Sequence, residues 1–318
     1  VKHTKIGNSG LQVGNLGIGT LNWGRDTEPA DAAHILAALL NAGGNLLDIS
    51  PDYGEGDAEA VVGALLNKAF SRTDLVLCGQ ISNNKKGTEL RGGRSHLYRS
   101  LHGTLRTLKT DYLDLLLVPE PDPQIPAAEM LSTLANFVEQ GKVRYLGFSR
   151  QSAWKSAQFR QIMEDLHLPL PTALAFPYSL LERKTELDNF PMAQALGLGM
   201  IAFSPLAAGV LTGKYRNTIP PTSRAATKHL YAMVAPYLEE TPRRITEAVA
   251  KAADGLGRTP TDVALAWALQ NGVACAICGP RTANQADQLF SAEIEELPPQ
   301  VFNVLNDVSR PHIAYPSL

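Results

Sequence analysis

The chain has 318 residues, with 29 Lys and Arg against 31 Asp and Glu, a formal net charge of -2 and a hydrophobic fraction of 44%. That balance leaves no basic footprint for a nucleic acid and no polybasic patch for a membrane surface. No apolar run approaches the roughly 18–20 residues that span a bilayer. The opening residues Val1-Lys2-His3-Thr4-Lys5 lack the apolar core of a signal peptide, so a cytoplasmic location is expected.

In chain order, residues 3–14 read as a short hairpin turning at Asn8-Ser9-Gly10. Short apolar runs then alternate with longer segments of helical period. The runs are 16–19, 45–50, 74–79, 113–118, 143–149, 172–176, 199–203 and 274–278. The first helix opens on Pro29 as a first-turn proline, carries Ile35, Leu36, Leu39 and Leu40, and stops at Gly43-Gly44. Further helices are predicted over 57–68, 95–108, 126–140, 152–166 and 188–196. The long seventh connection contains a Pro/Thr/Ser-rich stretch, 217–227, followed by helices near 242–256 and 260–270, and a further helix near 298–307 comes after the eighth unit. Alternation of this kind builds parallel βαβ units, and eight of them close a (β/α)₈ TIM barrel with an N-terminal hairpin and extra C-terminal helices. The length fits one domain over residues 1–318.

In such a barrel the chemistry sits where the loops leave the C-terminal strand ends. These segments are 20–23, 48–53, 80–86, 119–123, 149–150, 176–178, 204–215 and 279–288. Cys275-Ala-Ile-Cys278 has the letters of a CxxC motif. In a strand, residues three apart face opposite ways, so the pair is expected to be core and no metal site is predicted.

Several mouth segments together resemble the aldo-keto reductases, in particular the bacterial branch related to potassium-channel β subunits. Leu47-Asp48-Ile49-Ser50-Pro51-Asp52-Tyr53-Gly54 is similar to that family's strand-2 motif, and Gly141-Lys142-Val143-Arg144-Tyr145-Leu146-Gly147-Phe148-Ser149 to its strand-5 motif. Phe203-Ser204-Pro205-Leu206 through Gly209-Val210-Leu211-Thr212-Gly213-Lys214-Tyr215 is similar to the strand-7 signature, and Gly279-Pro280-Arg281-Thr282 with Gln285 to the strand-8 cofactor motif. The resemblance implies NADP(H) as cofactor and hydride transfer to an aldehyde or ketone. It further implies that Ser204, Leu206, Gly209 and Lys214 hold the pyrophosphate, that Phe203 stacks on the nicotinamide, and that Gly279, Arg281, Thr282 and Gln285 hold the 2′-phosphate and adenine end. Backbone N–H groups, a lysine and an arginine suit those phosphates chemically.

The departures from the family pattern cluster where the chemistry belongs. Asp48 and Tyr53 are kept, but Gln80 stands where the resemblance implies a lysine, and Pro119 where it implies a histidine. Ser149 remains of a carboxamide-holding Ser-Asn pair, with Arg150 replacing the Asn and Ala175 a Gln. Leu289 stands where an adenine-contacting Asn is common. Proline donates no hydrogen bond, and Asp48, deprived of its cation, must find another donor or take up a proton. Arg150 is expected either to pair with Asp48 or Glu120 or to point to solvent. Glu120 is either a second acid, its pKa raised by burial, or a solvated carboxylate. Asn22 and Trp23 are read as pocket-lining, Trp23 alternatively as packing, and Lys85 and Lys86 as surface charge. The leading expectation is an NADP(H)-dependent oxidoreductase acting on a carbonyl or imine, with Tyr53 as acid. Two alternatives stay open: an inactive NADP-binding scaffold barrel, and a non-redox lyase or isomerase using Tyr53 and Glu120. The substrate is a small molecule set by the loops after strands 1, 4 and 7 and the tail 310–318. A monomer or weak homo-oligomer fits the near-neutral surface.

Overall fold

A computed structural model describes residues 1–66, 68–84, 87–291 and 294–311. Two short strands, β1 (His3–Lys5) and β2 (Gln12–Gly14), pair antiparallel. Eight parallel strands follow: β3 (Leu16–Gly19), β4 (Leu46–Ile49), β5 (Val76–Gln80), β6 (Leu113–Pro119), β7 (Val143–Ser149), β8 (Pro171–Pro177), β9 (Gly199–Phe203) and β10 (Cys275–Cys278). They close a barrel in sequence order, with β10 bonded to β3. The connecting helices are α1 (Pro29–Asn41), α2 (Ala58–Leu66), α3 (Arg94–Leu108), α4 (Ala127–Glu139), α5 (Ala153–Asp165), α6 (Asn189–Leu196), α7 (Tyr231–Val234), α8 (Glu240–Leu256) and α9 (Pro260–Gln270), with α10 (Ala283–Phe290) and α11 (Pro299–Val308) after β10.

The expected (β/α)₈ barrel is thus present, with local corrections. The third strand starts at Val76 rather than at 74, because Arg72–Asp74 forms a 3₁₀ turn capped by Ser71, whose Oγ accepts from Thr73 N. Helices α7 and α10 were not expected. Helix α10 follows the Gly279-Pro280 turn and is only eight residues long, too short for a clear apolar period; Thr282 Oγ1 caps it by accepting from Gln285 N. Lys85, Lys86 and the tail beyond residue 311 lie outside the described residues.

Strand periodicity divides the core in two. Leu46, Val76, Cys78, Leu115, Leu117, Ala173, Ala175, Ile201, Cys275 and Ile277 form the barrel interior, while Leu47, Ile49, Leu77 and Leu116 face the helices. Cys275 belongs to the inner cluster and Cys278 to the outer one, so the two thiols are on opposite faces of β10. The hairpin plugs the N-terminal end, where Ile6, Leu11 and Val13 join the interior cluster. Its left-handed residue is Gly7 rather than Gly10. A Cβ on Gly7 would lie 2.5 Å from Gly197 O and 2.6 Å from Gly199 N. A cavity of about 390 Å³ beside this plug includes Asn8, Tyr145 and Pro171 in its lining. Its two arginines are already engaged, Arg160 with Glu164 and Leu196 O, and Arg144 over the Tyr112 ring. The plugged base leaves the opposite end, with the C-terminal strand ends, as the mouth.

Helices α2 and α3 pack closely, and Gly63 leaves no space for a Cβ, which would meet Thr107 O at 2.5 Å. In that interface Glu59, only 3% exposed, accepts a 2.7 Å bond from Thr104 Oγ1. Burial first, then the charge of Asp52, lifts its carboxyl to about 7 despite the Thr104 bond. A carboxyl raised on folding stabilises below its ordinary pKa, and that contribution is lost as pH rises through the folded value. Glu59→Gln should therefore match the native protein at pH 4 and exceed its stability by ~3 kcal/mol at pH 8.5 in urea unfolding. An unchanged pH slope in the variant would contradict this placement of Glu59.

Candidate active site

The period-2 alternation that fills the barrel interior also decides which side chains reach the mouth. Continuing each inward row places Asp48 above Leu46, Gln80 above Val76 and Cys78, Pro119 above Leu117, Ser149 at the end of β7, and Phe203 above Ile201. The parallel register sets them side by side: Asp48 is level with Cys78, Pro119 with Ser149, and Ser149 with Ala175.

Asp48 is buried, and each of its carboxylate oxygens accepts one hydrogen bond. Gln80 Nε2 donates to Oδ1 at 2.7 Å, and Tyr53 Oη donates to Oδ2 at 3.0 Å. The same Gln80 nitrogen also donates to Tyr53 Oη at 2.8 Å, which closes a triangle. Burial raises the Asp48 carboxyl to about 6, against the pull of the Gln80 and Tyr53 bonds and the charge of Arg150. Burial, followed by the charge of Asp48, pushes the Tyr53 hydroxyl well above its ordinary range. Tyr53 is held from below by Gly54, whose left-handed φ of 57° lets the chain press on Trp23; a Cβ there would overlap Trp23 O. Asp52 ties this loop to the next one by accepting from Ser82 Oγ, Asn83 N and Asn84 Nδ2 at 2.6, 2.6 and 2.9 Å.

The other expected residues divide between the mouth and its surroundings. Pro119 ends β6 and offers no donor. Glu120 is paired with Lys155 Nζ at 2.6 Å and accepts from Ser152 N. Its burial is outweighed by these bonds, and its pKa is lowered, so the raised-pKa acid expectation is corrected: Glu120 is held ionised. Arg150 is exposed in a left-handed conformation, φ 51°, fixed by its N–H to Ala175 O. Its guanidinium lies 4.9 Å over the Phe203 ring, and its charge is felt at both Asp48 and Tyr53. No ion pair of Arg150 is found among the described residues, so it pairs directly with neither Asp48 nor Glu120. Trp23 is fully buried and packs in the core rather than lining a pocket. Asn22 is equally buried, yet neither atom of its side-chain amide has a partner among the described residues.

On the other side of the mouth the chain builds a cationic cluster. The β9 loop turns left-handed at Ser204 and again over Ala207, Ala208 and Gly209, a backbone form that gathers N–H groups. Leu206 starts the 3₁₀ turn Ala207–Thr212, and Lys214 Nζ sits so close to Gly209 that a Cβ there would come within 2.9 Å of it. Arg224 donates to Gly279 O at 3.2 Å, with its Nε buried and unpartnered. Arg281 donates to Thr222 O, and its backbone N–H to Gln285 Oε1. Burial, followed by the charges of Arg224 and Arg281, lowers Lys214 to about 8. Sequence reading missed Arg224, which lies in the irregular seventh connection and carries no periodic signal. It also missed Lys155. Three mutually repelling cations, an unpartnered Nε and the orphaned Asn22 amide fit a polyanionic phosphate group.

The Aldo/keto reductase family pattern matches residues 15–310. The chain belongs to the aldo/keto reductase family. It is 31% identical over 320 residues to "Uncharacterized oxidoreductase YrpG" of Bacillus subtilis (strain 168), covering 97% of this chain and 96% of that protein. An oxidoreductase role goes with family membership, and aldo/keto reductases generally use NAD(P)H. Within this member, the hydrogen-bonded triangle lies at one side of the mouth and the cationic cluster at the other. Among the described residues, no helix is long and apolar enough to cross a membrane.

A phosphate seated in the cluster would favour the charged form of Lys214, so its binding would take up protons near that pKa and weaken as pH rises above about 8. Calorimetry of dinucleotide binding in buffers of different ionisation enthalpy should show clear proton uptake at pH 8.5, little at pH 6.5, and none at either pH in Lys214→Met. Equal uptake in native protein and variant would refute the cluster's role.

Proposed function

We propose that the chain is an NADP(H)-dependent oxidoreductase that reduces a small carbonyl or imine compound, with Tyr53 as the proton donor. The observation that carries this reading is the bonded Asp48–Tyr53–Gln80 triangle facing the mouth of the same barrel that holds Lys214, Arg224 and Arg281. Ser204, Leu206, Gly209 and Lys214 would hold the diphosphate, Arg224, Arg281, Thr282 and Gln285 the 2′-phosphate end with Gly279 as close backbone, and Phe203 with Ser149 and Arg150 the nicotinamide end. When bound, NADPH supplies a hydride. Tyr53 Oη gives the proton that a reduced oxygen or nitrogen needs, within general-acid catalysis worth roughly 10²–10⁴-fold.

Gln80 is neutral and Pro119 donates nothing, so the polarising help for a carbonyl is reduced. A substrate that arrives protonated, such as an imine, suits this site better than a simple ketone. Arg150 over Phe203 must move aside or stack differently when a nicotinamide ring enters. The non-redox reading needs Glu120 as an acid, and its pairing with Lys155 weighs against that role.

Calorimetric titration should give micromolar or tighter binding of NADPH, preferred over NADH by about tenfold or more, and Arg281→Ala should erase most of the preference. Tyr53→Phe should bind NADPH normally and lose turnover on a carbonyl and imine panel by roughly 10²-fold or more. Failure to bind either nucleotide would end the oxidoreductase reading; a fully active Tyr53→Phe would end the assignment of the acid. Tight binding with no turnover would support the scaffold alternative.

A further inference from the structure

The Asp48–Tyr53–Gln80 triangle has only one consistent arrangement of hydrogens while Asp48 is ionised. Gln80 Nε2 has two hydrogens, and both are spent, one on Asp48 Oδ1 at 2.7 Å and one on Tyr53 Oη at 2.8 Å. The carboxylate is acceptor-only, so the single hydrogen of Tyr53 must fill the 3.0 Å bond to Oδ2. In that state the acid of the site points its proton at a buried carboxylate rather than at the mouth. A lysine at position 80 would carry a third hydrogen and a charge; the amide carries neither. A second arrangement fits the same heavy-atom positions. With a proton on Oδ2, Asp48 donates to Tyr53 Oη, which also accepts from Gln80, and the tyrosine hydrogen is free to turn outward. No side chain has to move.

We propose that Asp48 is the proton store of this site, alternating between carboxylate and carboxylic acid, and that Tyr53 can donate to a substrate only when Asp48 holds its proton. This rests on the reductase reading above. In the step on a carbonyl or an unprotonated imine, the Tyr53 Oη–H bond breaks as the proton bonds to the substrate oxygen or nitrogen, whose carbon has accepted the hydride of NADPH; an imine that arrives protonated needs the hydride alone and bypasses the store. The electron pair left on Oη takes the proton of Asp48 Oδ2, and the carboxylate is reprotonated from solvent after product leaves. One hydride and one proton reach the substrate, and NADP⁺ is the oxidised product.

The surroundings favour a neutral Asp48. Facing it are Tyr53, the Cys78 thiol on β5 and the Cys275 thiol on β10, both pushed up by burial and therefore uncharged, with Gly19 on β3 offering no side chain. Among the described residues, Arg150, from the loop after β7, is the one cation whose charge reaches it, and that guanidinium is exposed and lies over Phe203 instead of against the carboxylate. The carboxyl accordingly sits at about 6, within reach of neutral solution.

Infrared difference spectra of the nucleotide-free protein, stepped from pH 5 to pH 8, read the store directly. A Glu59→Gln background removes the other buried carboxyl with a raised pKa among the described residues. The expected result is a protonated-carboxyl stretch that halves near pH 6, is absent in Asp48→Asn, and is lost throughout this range in Gln80→Lys. Should Asp48→Asn fail to fold, Gln80→Lys together with ¹³C-labelled aspartate makes the same assignment. In parallel, kcat/KM should fall about tenfold per pH unit above pH 6, and Gln80→Lys should flatten that fall. A carboxyl already ionised at pH 5, or a native rate independent of pH from 5.5 to 8, would overturn the proton store while leaving the reductase reading intact. The carboxyl band without any nucleotide-dependent turnover would sink the reductase reading and with it the catalytic half of this one.

Discussion

The amide of Gln80 reaches Asp48 and Tyr53 at once, and the chemical end of this barrel is organised around that double contact. A carboxylate buried at the top of a closed barrel is costly unless every lone pair facing protein is met by a donor. Here two neutral donors meet it, which satisfies geometry but supplies little charge. The consequence is a carboxyl poised near 6 and a tyrosine hydroxyl driven up, instead of a tyrosine eased toward donation by a neighbouring cation. The plugged base of the barrel and the period-2 alternation of its strands leave these groups only the mouth to face.

The two sides of the mouth solve opposite electrostatic problems. At the triangle, charge is scarce and hydrogen bonds do the positioning. At the β9 and β10 loops, Lys214, Arg224 and Arg281 are crowded together at a cost visible in the lowered lysine pKa, which an arriving anion relieves. The two sets hang from different strands, Asp48 and Gln80 from β4 and β5, the cations from the segments after β9 and β10, so a change in one set leaves the geometry of the other in place.

Much of this was legible in the residues. The strands announce themselves as short apolar runs between helical segments, and the inward parity of Leu46-Asp48 and Val76-Cys78-Gln80 follows from the strand period. Asp48, Tyr53 and Gln80 stand out by another route, the resemblance of their segments to the aldo-keto reductase motifs. What could not be read was partner choice among flexible charged side chains. Glu120 looks as free to be an acid as to be solvated until Lys155, 35 residues away, is seen to hold it. Arg224 sits in a stretch without period, and Trp23 has the same letters whether it lines a pocket or fills the core. Helix α10 is two turns long, and its cap at Thr282 belongs to the segment that resembles the family's cofactor motif, which hides its structural role.

The central claim is that this barrel moves a hydride, with Tyr53 completing the transfer. The most direct measurement is the fate of deuterium from NADPH labelled at the nicotinamide C4, followed by mass spectrometry of products from a panel of aldehydes, ketones and imines. The account predicts deuterium on the reduced carbon of at least one product with native protein, and labelled product formed roughly 10²-fold or more slowly by Tyr53→Phe. Turnover that leaves the product free of deuterium, or equal labelling by the Tyr53→Phe protein, would contradict it.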